Sequence, residues 1–505
     1  MTGILGIDVG GTVVKATLFD LAEGSASSRG REVAVRHPFP GHNERDPHRI
    51  WEAVAEVVHE LLSSRPHPRI AAVGVTGHGN GLYLVDRYGR PTRPAVMASD
   101  TRASGIVKDA VRDGVDRALA PLTWNRVWPG QPGPVLAWFD RNEPGALDDA
   151  AHALMCKDFI RLQLVGRVGT ELTDQSCNGL YDNAHGRWCD ETFEALGITA
   201  RRELLPDPRP STEIAGEVSR EAAEVTGIPR GTPVVGGAVD NVALHLGSGV
   251  LDGSRLCVAA GTWSVNQLMV DPAEMVPEGR LGADAPLAAC RTASPGQALL
   301  IDASATSASA LAWAVNHVMH AVRDEARAAS SDVFELVLRR VALREPAGTD
   351  PVFVPYLDGS RDEPSARGAW LDLASWHDSD HLMSAVVEGI CMEHRRHIDR
   401  IAGDAAELPL RLSGGAAKSA TWAQRFADVC MRPVEVSPVE ELGALGAAVI
   451  AGAGVGVFDS LATGAQVLNS RQSTFAPDEA RASHFADRYA RYQQLAGLVE
   501  ANARA

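Results

Sequence analysis

Apolar residues at Ile4, Leu5, Ile7 and Val9, and again from Val13 to Phe19, flank a glycine break at Gly10 and Gly11. That pattern predicts strand, tight turn, strand. Asp8 falls at the end of the first strand, with Thr12 and Lys15 just past the bend. The signature returns half a chain later, where residues 255–260 lead into Gly261-Thr262-Trp263-Ser264 and the largely apolar run 265–270. Two such hairpins in two halves predict two related domains, split at 1–247 and 248–505 by a compact hinge rather than a low-complexity linker.

Between the hairpins the pattern predicts a turn over 23–30 and a third strand over 32–36. An amphipathic helix follows over 47–63, with Ile50, Val54, Val57, Val58, Leu61 and Leu62 at helical spacing. A buried strand over 69–76 ends in Thr76-Gly77-His78-Gly79-Asn80-Gly81, another runs over 82–86, and a shorter one over 95–98 enters Ser99-Asp100-Thr101-Arg102. Polar residues at strand ends are where α/β proteins bind ligands. Residues 103–225 are expected to be mainly helical with loops. A short strand from Pro233 then runs into a helix at Asp240 and Asn241. In the second half, Leu410 to Ser419 reads as strand, Gly-Gly turn, helix. Helices are predicted over 421–430, 441–452 and 484–499, the middle one rich in Gly and Ala.

Composition narrows the classes. A chain of 505 residues with 45% hydrophobic content can fill two cores. A formal charge of −16 disfavours nucleic acid, which needs a clustered basic surface. The seven cysteines lack metal-ligand or C-x-x-C spacing and are expected to be reduced thiols. No apolar run approaches the roughly 18–20 residues of a membrane span. With no leader pattern at the N-terminus, a cytoplasmic protein is expected.

Glycines at a bend let backbone N–H groups approach an anion, and a nearby carboxylate can hold a hard cation. Gly10, Gly11 and Thr12 with Asp8, and Gly261 with Thr262, therefore suit the phosphates and metal of Mg-ATP. Lys15 is either a phosphate contact or a solvated strand charge. Asp240 is either a helix N-cap or a general base. His78, Asn80, Asp100 and Arg102 offer the donors and acceptors a polyol requires, and His78 alternatively braces its loop. Trp124 and Trp128 wall such a pocket or fill a core.

Taken together, the two hairpins, Gly79-Asn-Gly-Leu-Tyr-Leu-Val-Asp86, Ser99 to Arg102, residues 122–132 and Ser413-Gly-Gly-Ala-Ala-Lys418 resemble the FGGY family of carbohydrate kinases over essentially the whole chain. Within it, the likeness is to kinases of L-xylulose and related keto-sugars. The resemblance implies an α/β, two-domain actin-like ATPase (ribonuclease H-like) fold with nucleotide in the interdomain cleft, ATP and Mg2+ as cofactors, and a homodimer. It implies that Asp240 abstracts the sugar proton with Asn241 beside it, that Asp8 binds Mg2+, that Asn80 and Gly81 form the substrate loop, and that Asp100 is the acidic sugar contact. Gly414, Gly415 and Lys418 lie in the matching adenosine segment. Two positions depart from the family pattern: Val135 stands where lysine is usual, and Asp372 where glycine is usual. Asn80 replaces the histidine of D-xylulose kinases, and Ser99 an asparagine. The expected activity is phosphorylation of a keto-sugar, a pentulose such as L-xylulose or D-xylulose, at a terminal hydroxyl. The alternatives are a polyol kinase of the glycerol or erythritol type and a non-catalytic sugar sensor.

Overall fold

In the computed structural model the described residues are 2–64, 69–274, 288–403, 407–469 and 471–504. Contacts group the chain into two units. The first comprises Met1–Leu251, Val270–Leu299 and Glu441–Ser470; the second comprises Asp252–Met269, Leu300–Glu440 and Arg471–Ala505. Residues 441–470 thus fold with the first unit although they follow most of the second in sequence.

In the first unit, β1 (Thr2–Val9) and β2 (Val13–Asp20) pair antiparallel from Gly3↔Asp20 to Val9↔Val14, and Gly10 N–H closes the bend on Val13 O at 3.0 Å. The predicted hairpin is present. β3 (Ser25–Glu32) pairs with β2 along its whole length. This corrects the expected turn over 23–30 and strand over 32–36. β3 is an edge strand made largely of Ser, Arg and Gly, so the polarity that suits an edge hides it from a search for apolar runs. The sheet is completed by β4 (Arg69–Gly77), β5 (Ile214–Glu217), β6 (Pro233–Val235) and β7 (Ala238–Val239), in the order β5-β6-β4-β1-β2-β3, with β7 also pairing β4.

One sheet face is covered by α1 (Pro47–Ser63), which starts where predicted because Asp46 caps it and Pro47 occupies its first turn. Its buried Ile50, Val54, Val57, Val58 and Leu61 join Leu5, Ile7 and Val9 in one core. Strand alternation puts Ile4, Gly6 and Asp8 on the opposite face. There lie α2 (Asp240–Gly247) and α3 (Leu442–Gly454), the predicted Gly/Ala-rich helix, which packs on β1, β4 and α2.

The second unit repeats the arrangement. β8 (Leu256–Ala260) and β9 (Ser264–Val270) form the second hairpin, and β10 (Ala298–Ser304), β11 (Leu410–Gly414), β12 (Val434–Val436) and β13 (Ser473–Phe475) give the order β10-β9-β8-β11-β12-β13. In both units the hairpin's first strand has an antiparallel partner on one side and a parallel one on the other. Asp372 has φ 59°, a left-handed conformation that explains glycine as the usual residue, and Arg491 holds its carboxylate with two 2.9 Å bonds. Val135, the other departure, is fully buried among leucine and aromatic side chains.

The approach of α3 to the sheet leaves no space for a side chain. A Cβ on Gly6 would lie 2.0 Å from Ala444 O, and one on Gly74 2.0 Å from Ala447 O. Gly6→Ala or Gly74→Ala should therefore cost about 1–3 kcal/mol or more in denaturant unfolding. Gly11→Ala, with no atom within 4 Å of its added Cβ, should change stability by no more than about 0.5 kcal/mol. Equal effects at the three positions would contradict this packing.

Candidate active site

Asp8 at the end of β1 and Asp240 at the start of α2 are brought to the same end of the sheet. Asp240 is the first residue of α2 rather than its N-cap, which is Val239. Its carboxylate accepts hydrogen bonds from the N–H groups of Asn241, at 2.7 Å, and Gly79. Burial pushes Asp240 up to about 6 despite these two bonds. Burial, followed by repulsion from Asp240, pushes Asp8 up to about 7, while Lys15 opposes the shift. Lys15 pairs with Glu441 at 2.8 Å, so this sequence-predicted phosphate ligand already has an acidic partner beside Asp8. Gly11 and Thr12 are exposed at the bend.

The loop after β4 turns through two left-handed residues, Asn80 (φ 60°) and Gly81 (φ 78°). Asn tolerates this conformation, and a Cβ on Gly81 would meet Val96 O at 2.5 Å. Gly81 N–H donates to Gly130 O at 3.0 Å, tying the loop to the segment that carries Trp128. Asn80 Oδ1 is buried without a partner, which makes it an unspent acceptor in this loop. His78 is buried with Nε2 3.3 Å from the Tyr83 hydroxyl, and burial followed by the charge of Arg45 lowers it to about 4. It is therefore a neutral imidazole at pH 7.

Asp100 and Arg102 meet each other, leaving only Arg102 Nη1 buried without a partner. Asp100 Oδ1 accepts from Arg102 N and Nε, both at 2.9 Å; Oδ2 accepts from Arg102 Nη2 at 2.8 Å and from Asn43 N at 2.7 Å. Arg102 Nη2 also donates to Glu44 at 2.7 Å. Every lone-pair direction of Asp100 is used in fixing the loop. Trp124 is buried at 2% exposure and belongs to the core, whereas Trp128 is half-buried beside Gly130.

A second buried polar cluster escaped the sequence reading. Lys157 Nζ is 2.8 Å from Asp158, 3.4 Å from Glu171 and 3.4 Å from Asp174. Glu171 accepts from the Thr173 hydroxyl at 2.8 Å, and that hydroxyl accepts from Val239 N–H at 3.0 Å. The residue immediately before Asp240 is thus pinned by this cluster. Burial raises Asp174 well above the usual carboxylate range, and a Cβ on Gly79 would lie 3.8 Å from its Oδ1. The one sequence signal for the cluster was the polar run from Thr170 to Ser176 within a helical region.

In the second unit, Gly261 N–H closes the second bend on Trp263 O at 3.2 Å, and Thr262 is exposed with its carbonyl accepting from Ser309 at 2.8 Å. Gly414 has φ 81°, and a Cβ there would lie 2.6 Å from Ala260 O and 3.0 Å from Gly261 N. The Gly414-Gly415 segment is thereby held against the second bend, as the strand pairing Ala260↔Gly414 requires. Lys418 makes an exposed pair with Glu440 at 2.6 Å.

The donor set of the first unit fits a hard cation such as Mg2+, which takes one or two carboxylates together with substrate oxygens. Asp8 offers such an oxygen, and a divalent ion beside it would relieve the repulsion from Asp240 that, after burial, raises Asp8. All seven cysteines are free and buried. Among the described residues no helix is long and apolar enough to cross a membrane.

The N-terminal-domain pattern of the FGGY family of carbohydrate kinases matches residues 3–247, and the C-terminal-domain pattern matches residues 256–455. The chain is 31% identical to an L-xylulose/3-keto-L-gulonate kinase of Escherichia coli (strain K12), over 98% of this chain and 97% of that protein. It is 31% identical to a probable L-xylulose kinase of Pasteurella multocida (strain Pm70), over 99% and 100%. Its structure is similar to that of a xylulose kinase from Rhodospirillum rubrum, with TM-score 0.85 and 25% identity across the full length of both chains. It also matches the fold of a ligand-bound xylulose kinase from Lactobacillus acidophilus, with TM-score 0.88 over 99% of this chain and 98% of that one.

Folded Asp8 holds its proton up to pH of about 7, whereas an unfolded aspartate loses it near pH 4. Between those values the native state binds more protons, so this group lowers stability as pH rises. In metal-free buffer, Asp8→Asn should melt at a higher temperature than wild type at pH 8, with the gap shrinking toward pH 5. A gap independent of pH would show that Asp8 titrates normally.

Proposed function

The chain belongs to the FGGY family of carbohydrate kinases, and we propose that it uses Mg-ATP to phosphorylate a terminal hydroxyl of a pentulose, L-xylulose being the first choice, in the cytoplasm. Phosphoryl transfer needs a positioned hydroxyl, a base for its proton and charge stabilisation at the phosphate oxygens. The observation that carries this reading is Asp240 held by two backbone N–H groups at the end of the sheet beside Asp8, with the unspent Oδ1 of Asn80 in the adjoining loop.

Asp240 takes the hydroxyl proton. Raised to about 6, it is a stronger base than a free aspartate and still ionised at pH 7. The N–H groups of Asn241 and Gly79 fix the direction of its carboxylate. Gly79 belongs to the same loop as Asn80, so base and sugar contact share one rigid support. Asn80 accepts from a sugar hydroxyl, and Trp128 supplies an apolar wall. Asp100 and Arg102 act one step back, holding the loop through Glu44 and Asn43. Mg2+, held by Asp8, would neutralise charge on the ATP phosphates. Gly11 and Thr12, exposed at the first bend that the Gly10 N–H closes, supply backbone N–H groups to phosphate oxygens. Within the second unit, Thr262 stands exposed at the bend closed by Gly261, and Gly414 and Gly415 leave room for the nucleoside. Lys15 and Lys418 contribute charge from ion pairs already formed with Glu441 and Glu440. L-Xylulose is preferred because the near full-length relatives carry that name and because Asn80 replaces the histidine of D-xylulose kinases.

A coupled ADP-release assay over L-xylulose, D-xylulose, 3-keto-L-gulonate, erythritol and glycerol should give the highest kcat/KM with L-xylulose. Best turnover with a polyol would overturn the substrate class. Asp240→Asn should lower kcat by about 10² to 10⁴, the range for losing a general base, and near-normal turnover would exclude it from that role. Asn80→Gly keeps the left-handed backbone and removes only the amide. It should raise KM for the sugar about tenfold, the effect of roughly 1.4 kcal/mol for a lost buried hydrogen bond, and leave KM for ATP unchanged.

A further inference from the structure

Arg45 has 0% exposure, and its guanidinium has no carboxylate partner among the described residues. Nη1 donates to Gly10 O, inside the first bend, at 2.8 Å; Nε and Nη2 are buried with no partner. Its chain neighbour Glu44 goes elsewhere, to Arg102. The side chains that feel the charge of Arg45 are His78, Tyr83 and Cys156, and none can neutralise it at pH 7. Burial, with the charge second, lowers His78 to about 4; burial raises the Tyr83 hydroxyl far above its usual range and Cys156 to about 12. A buried cation without a counter-ion costs several kcal/mol, and a hydrogen bond to one carbonyl does not offset that. A bend fixed only by a neutral donor could have been built from Gln at no such cost.

We propose that Arg45 is a positioning residue for phosphoryl transfer, holding the Gly10–Thr12 bend and placing an unneutralised positive charge beneath the ATP phosphate that the bend receives. The inference rests on the reading of that bend as a phosphate site. Since charge in a dry, preorganised setting acts strongly on a neighbouring anion, Arg45 favours nucleotide binding and the charge developing during transfer. The sugar contacts lie on a different set of atoms, in the loop of Asn80.

Two variants separate charge from hydrogen bonding. Arg45→Gln keeps an N–H donor and removes the charge; Arg45→Lys keeps the charge and loses the fork. Wild type should show a rise in melting temperature on adding Mg-ATP. Arg45→Gln should lose most of that rise, with KM for ATP up and kcat down about tenfold or more, and KM for the sugar within about twofold. Arg45→Lys should recover most of the effect. A Gln variant with wild-type ATP dependence, a change confined to the sugar KM, or a folded Lys variant without the Mg-ATP shift would each overturn the proposal. Should Arg45→Gln not fold, the Lys variant decides the matter by its Mg-ATP shift. If wild type itself shows no Mg-ATP shift, the phosphate reading of the bend fails, whatever the variants do.

Discussion

Backbone-to-backbone packing of α3 is the constraint from which the first unit's site follows. Glycines at positions 6 and 74 let the helix lie directly on β1 and β4, and Gly446 lets it meet α2, where an added Cβ would come within 1.8 Å of Ala243 O. The same approach carries Gly443 against Asp8, where a Cβ would lie 2.3 Å from Oδ2. One helix of small residues therefore fixes the strand that ends in Asp8 and the helix that begins with Asp240. Dense packing transmits such placement because close-packed interiors do not deform continuously. The low-polarity surroundings it creates also raise both carboxylates, since desolvation disfavours the charged form.

Around this frame, charge is arranged in three states. Asp100, Arg102 and Glu44 pair their charges with one another and support the loop. Lys157 and its carboxylates form a second, internally charge-paired group that reaches Asp240 through Thr173 and Val239, although both Asp174 oxygens lack a hydrogen-bond partner. Asp8, Asp240 and Arg45 are the uncompensated ones, and buried groups left in that condition are what a site for a charged ligand requires. The contrast separates charged residues paired with one another from buried charged residues left without a counter-ion.

The second unit shows how a repeated topology is adapted. Its hairpin and parallel neighbour reproduce those of the first, but the glycine pair at 414 and 415 replaces the loop with Asn80. Gly414 is obligatory on two grounds, positive φ and contact with Ala260 O. Asp372 accepts a comparable left-handed backbone without being glycine, aided by its bidentate bond to Arg491.

Local pattern determined the hairpins, α1, α3 and the strand-end position of the polar loop, because each depends on residues a few places apart and on periods of two or 3.6. The two glycine bends and the family likeness made the two-unit organisation and the kinase class legible as well. The sequence misplaced β3, whose polar edge carries no apolar alternation, and did not single out Arg45 or the Lys157 cluster. It also offered Asp100, Arg102 and Asn80 as sugar contacts and Lys15 as a phosphate contact without showing which of their atoms are already spent. Only the tertiary structure separated them: it turned Asp100 and Arg102 onto each other and gave Lys15 a partner, Glu441, 426 residues away, while leaving the Asn80 acceptor unspent. Which polar atom remains free is settled by what packs against it, and those neighbours come from distant parts of the chain.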